Sequence, residues 1–146
     1  MRRWAVIAVA VVAFVGIAVV LARWLSAEGA ERGLVTDLLR AQARGDADAM
    51  LAVLDDGCRE RPACEATVRA DAAALRSEGE IEIVAYDSST SYALGAAEGP
   101  TRVVWRAPGR LTTVQCVEVE RGGNALTGPS VQLLSIGRPI GRTAAC

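Results

Sequence analysis

The sequence predicts an α+β domain behind an apolar N-terminal helix: three helices packed on a curved antiparallel sheet of about five strands. Three observations carry this. Residues Trp4 to Ala22 (WAVIAVAVVAFVGIAVVLA) hold no charge. Apolar residues then recur with helical spacing between residues 34 and 79. From Glu80 onward the period falls to two, the mark of half-buried strands.

At 1.5 Å per residue the apolar run matches a bilayer's hydrocarbon thickness, so a transmembrane helix is expected there. Trp4 and Trp24 flank it, where indoles favour the headgroup region, and Arg2 and Arg3 precede it. Positive charge stays cytoplasmic, which places the remainder outside as a single-pass membrane protein. A cleaved signal peptide is the alternative, with Val20 and Ala22 as small residues before a cut. The run is long for such a segment and lacks a polar end, so a retained anchor is favoured. The expected division is an anchor over 1–25, a short linker over 26–31 (SAEGAE), and an exported domain over 32–146.

In the domain, Leu34, Val35, Leu38 and Leu39 form the first apolar stripe, which Gly45 ends and after which Asp46 is placed to cap. Met50, Leu51 and Leu54 face inward from a second helix that stops at Gly57. Pro62 suits the first turn of a third, whose face is Cys64, Val68, Ala72 and Leu75. EIEIVAY (80–86) alternates as a strand. Tyr92 and Leu94 mark a short second strand, and TRVVWRA (101–107), LTTVQCVEVE (111–120) and SVQLLSIGR (130–138) supply three more. Pro108-Gly109 signals a tight turn, and RGGN (121–124) breaks the chain again. A two-residue turn at 108–109 puts Val103 opposite Val114. The apolar sets of the two strands then miss by one residue, so a β-bulge near Gln115–Cys116 is expected.

The chain has net charge −1, no histidine and no lysine; all sixteen basic residues are arginine. Beyond residue 25, thirteen arginines face seventeen acids. An acidic domain of this kind is no candidate for nucleic acid. No phosphate loop, dinucleotide fingerprint or serine elbow is present, so no cofactor is expected.

The four cysteines read as disulfides, because paired thiols oxidise outside the cytoplasm. Zinc fits poorly: Cys58 and Cys64 are six apart in CRERPAC, and no histidine can complete a ligand set. Three pairings are open. Cys58 with Cys64 is favoured by the short loop holding Pro62, leaving Cys116 for Cys146. Loop entropy assigns roughly 2.5 kcal/mol to the short bridge and about 3.5 to the long one. The long bridge also ties down a tail, GRTAAC (141–146), that has no apolar periodicity of its own.

The stretch LLRAQARGDADAMLAVLDD (38–56), two helices joined by Ala-Arg-Gly-Asp-Ala-Asp, followed by a further helix and a curved sheet, resembles the nuclear transport factor 2-like superfamily. This is the cone shared with ketosteroid isomerases and polyketide cyclases, and the resemblance spans about residues 30–140. It implies a pocket between helices and sheet, used for catalysis, small-molecule binding or dimerisation; anchored members serve bacterial envelope assemblies. The family's catalytic set does not carry over. No histidine exists, and Asp37, Asp46, Asp48, Asp55 and Asp56 sit at helix ends or polar faces, where caps and solvated charge are the default.

Tyr86, Tyr92, Trp105 and Gln115 are the candidate pocket residues, with core packing the plainer role for Trp105. Arg102 and Arg106 share a strand face, and a solvated outer face accounts for both. The functional expectation is an anchored extracytoplasmic binding domain whose partners are the membrane, through residues 4–22, and an envelope protein or a second copy. The alternative is a small isomerase or hydrolase using a carboxylate inside the cone. An acid deep in a cavity with a raised pKa separates the two.

Overall fold

The computed structural model describes residues 2–89, 97–124 and 128–146. Helix α1 runs unbroken over Arg2–Arg44, followed by α2 (Ala47–Val53), α3 (Asp56–Glu60) and α4 (Pro62–Ala74). Strands β1 (Glu82–Ser88), β2 (Ala97–Arg106), β3 (Thr113–Asn124) and β4 (Gly128–Ile136) form one antiparallel meander in that order. The helices cover one face of the sheet.

Two parts of the expected architecture are corrected here. Among the described residues the sheet has four strands rather than five, and the strand expected at Tyr92 and Leu94 lies outside those residues. Among the described residues, no helix is long and apolar enough to cross a membrane. The helix continues through residues 26–31, expected as a linker, and Glu31 is buried in the domain interior.

Beyond residue 30, α1 buries Val35, Leu38, Leu39 and Gln42 against the sheet. Gly45 ends it with φ +74°, a conformation that costs any residue with a Cβ. Asp46 then caps α2, accepting from the Ala49 N–H at 2.9 Å. The expected second helix is split. Leu54 turns extended and bridges to Leu133 of β4, and the Asp55 N–H donates to the Leu133 carbonyl at 2.8 Å. Asp55 caps the short α3 that follows. Pro62 opens α4 at its first turn, and the Cys58–Cys64 disulfide joins α3 to α4 with Cα atoms 5.3 Å apart.

The β2–β3 register removes the expected bulge. Trp105 pairs with Thr113, Val104 with Val114 and Val103 with Gln115, and the ladder runs without a shift to Ala97 opposite Arg121. The turn is one residue longer than a two-residue loop allows, and that single step puts Val103, Trp105, Gln115, Val117 and Val119 on one face. Burying both apolar sets together fixes the register. Bulges lie elsewhere, at Ile83/Ala85 and Glu118/Val119. RGGN does not break the chain: β3 continues through it, with Gly122 opposite Ser130 and Gly123 opposite Pro129.

The C-terminal tail is held against the outer sheet face. Ile140 bridges to Val114, and Arg102 donates to the carbonyls of Ala144 (3.2 Å) and Arg142 (2.6 Å). The Cys116–Cys146 disulfide closes it, with Cα atoms 5.6 Å apart. All four cysteines are in disulfides, so none is available to a metal. Arg106, on the same face, makes two hydrogen bonds to Glu82.

Candidate functional site

The interior holds two polar clusters at opposite ends of an apolar core. They are separated on α1 by the eleven positions from Glu31 to Gln42, about 16 Å of helix.

The first cluster forms where α1 crosses the far ends of β1, β2 and β3. Glu31 has no exposed surface. It accepts from the Thr101 hydroxyl at 2.6 Å, from the Tyr86 hydroxyl, and from the Arg121 guanidinium. Ser88 is bridged to Thr101 and Arg121. Burial alone pushes the Glu31 carboxyl up. Hydrogen bonds from Thr101, Tyr86 and Arg121, with the arginine's charge, outweigh it and hold the group below its ordinary value. Burial also pushes the Tyr86 hydroxyl up, and the neighbouring Glu31 adds to that, so the phenol keeps its proton. Arg32 stacks over the Tyr86 ring, 5.0 Å from its centre. Every charge here is paired.

The second cluster is centred on Gln115. Its Oε1 accepts from the Trp105 indole N–H at 2.9 Å and from Gln42 Nε2 at 3.2 Å. Its Nε2 donates to Asp71 Oδ2 at 3.2 Å and to the Gly137 carbonyl at 3.1 Å. Gln115 is 0% exposed, Trp105 1% and Asp71 4%. Burial raises the Asp71 carboxyl to about 6, against the opposing charge of Arg138 and the hydrogen bond from Gln115. Among the described residues, Gln42 Oε1 is buried without a partner.

Of the four candidate pocket residues, only Trp105 and Gln115 are brought together, and they bond to each other. Tyr86 belongs to the Glu31 cluster, and Tyr92 lies outside the described residues. Trp105 and Gln115 are 1% and 0% exposed, and neither borders a groove among the described residues. The grooves that are described lie elsewhere. One of about 930 Å³ is bordered by Arg44, Arg76, Ser77 and Arg110, and one of about 390 Å³ by Glu80, Glu82 and Arg106. A third lies along the apolar residues Ala13–Leu21. Among the described residues, no cluster of acids and cysteines could hold a metal ion.

Sequence reasoning missed the acids that matter. Asp71 stands seven residues after Cys64 and three after Val68, on the buried stripe of α4. Glu31 stands four before Val35, on the buried stripe of α1. In each case helical spacing alone carries the signal. Among the acids assigned to caps, Asp46 and Asp55 do cap.

No protein-family model, curated protein or solved structure matches this chain.

Proposed function

We propose that this chain is an exported binding domain of the cell envelope, associated with the membrane through its apolar N-terminal residues and acting by surface recognition of a protein partner or a second copy. One observation carries the choice of binding over catalysis. The place where a cone of helices on a curved sheet holds its pocket is filled by Trp105, Gln115, Gln42 and Asp71, bonded to one another. The order of helices followed by an antiparallel sheet supports reading the domain as a filled relative of the nuclear transport factor 2-like cone.

The two disulfides support an oxidising compartment, where such bonds persist. Val9, Val12, Phe14 and Val20 are each 66–73% exposed, an apolar surface whose contact with water is unfavourable and which a membrane covers. The proposal predicts that the full chain sediments with membranes after a high-salt wash, with all four cysteines oxidised in cells. Recovery of the chain in the cytoplasmic fraction with free thiols sinks it.

One observation favours the enzymatic alternative: Asp71 is a buried carboxyl with a raised pKa. Asp71→Asn separates the readings. A binding domain keeps its biological activity when this folded variant replaces the wild type, whereas carboxylate catalysis is lost.

A further inference from the structure

We infer that the groove between the C-terminal ends of α1 and α4 and the β2–β3 turn is a binding site for the phosphate group of a soluble molecule. The site is independent of the interior clusters, and its assignment to a soluble molecule rests on the proposed membrane association. Arg44 stands in the last turn of α1, Arg76 follows the end of α4, and Arg110 leaves the β2–β3 turn; all three are exposed and border one groove of about 930 Å³. Glu78 is the acid among the residues bordering it. Three guanidinium groups and one carboxylate leave a charge of +2, which a phosphate dianion matches. Guanidinium forks suit its oxygens.

The plainer role for arginines at helix C-termini is to serve the last carbonyls and the helix dipole. Those carbonyls already have donors. The N–H groups of Asp46, Gly45 and Ser77 donate to Ala41, Gln42 and Ala43 at the end of α1. At the end of α4, the Leu75 N–H donates to Asp71 and Arg110 reaches the Ala74 carbonyl at 3.2 Å. Arg44 and Arg76 have no hydrogen-bond or ion-pair partner among the described residues, whereas Arg40, Arg59, Arg69, Arg102, Arg106 and Arg121 all do. The Ser77 hydroxyl, at the groove wall, is likewise without a partner. Two unused cations border one space, and the Ser77 oxygen is buried behind its wall.

The position separates two sources of phosphate. Arg44 lies 22 residues beyond Ala22 on the same helix, about 33 Å from the apolar run. Headgroups around that run are out of reach, so the phosphate belongs to a solute or to a molecule that solute chemistry represents.

The test is calorimetric titration of the full chain, in non-ionic detergent, with inorganic phosphate at fixed ionic strength. Saturable one-to-one binding is expected. Arg44→Gln with Arg76→Gln should weaken it about tenfold or more, and Arg76→Gln alone by less. The charge-matched pair Arg40→Gln with Arg142→Gln should change it by less than about twofold, because diffuse attraction is screened. No saturable heat, or equal losses in both double variants, overturns the site. Full competition by a water-soluble short-chain phosphatidylglycerol at equal phosphate overturns its assignment to a soluble molecule.

Discussion

Asp71 and Glu31 are both buried carboxyls, and their surroundings drive them in opposite directions. Asp71 has one amide donor and a distant guanidinium against its burial, so its native pKa, about 6, lies above its unfolded value. The native state therefore holds that proton more tightly, and stability attributable to this group falls as pH rises from about 4 to 6. At neutral pH the charged, buried form costs on the order of 3 kcal/mol. Asp71→Asn keeps an acceptor for Gln115, so it should raise the melting midpoint at pH 7 and flatten stability between pH 4 and 6; a lower midpoint at pH 7 contradicts this. Glu31 has the reverse sign, contributing stability above its unfolded pKa that is lost as pH falls through its lowered native one. Glu31→Gln strands a buried guanidinium and should cost about 3–5 kcal/mol, readable by urea unfolding. Pairing it with Arg121→Met should recover a good part of that loss.

At the scale of elements, the ends of helices and strands decide what the core can use. Gly45 closes α1 in a left-handed conformation, and a Cβ there would lie 3.0 Å from Arg76 Cδ. Gly45→Ala should cost about 1 kcal/mol or somewhat more, the strain of that conformation, with the flexible arginine stem giving way. Thermal unfolding measures it. The tail is a second case. Six residues without apolar pattern stay in place because a disulfide and the Arg102 guanidinium hold their backbone. Cys146→Ser should lower stability by about 2–4 kcal/mol and leave Cys116 open to alkylation. An unchanged midpoint under oxidising conditions contradicts that role.

For the whole molecule, the arrangement is an apolar core with a polar cluster at each end and charged groups outside. The cysteine pairing was legible in the sequence because loop length favours Cys58 with Cys64 and leaves Cys116 for Cys146, and the inward faces of α1 and α4 followed from spacing alone. Asp46 was legible as a cap because capping is local chemistry, whereas the cap at Asp55 belongs to a helix the spacing did not foresee. Other features depend on contacts between distant residues. The β2–β3 register was missed by one residue, since the turn gave way to the need to bury Val103, Trp105, Val117 and Val119 together. Leu54 left its helix for β4, a partner almost eighty residues later. Gln115 joins Trp105, Gln42, Asp71 and Gly137 from four separate parts of the chain, and Glu31 meets Arg121 across ninety positions. Period, caps and loop entropy are properties of neighbouring residues, and the sequence by itself determined them. Whether the interior is a pocket or a plug depends on which side chains meet across it, and only the tertiary structure decided that.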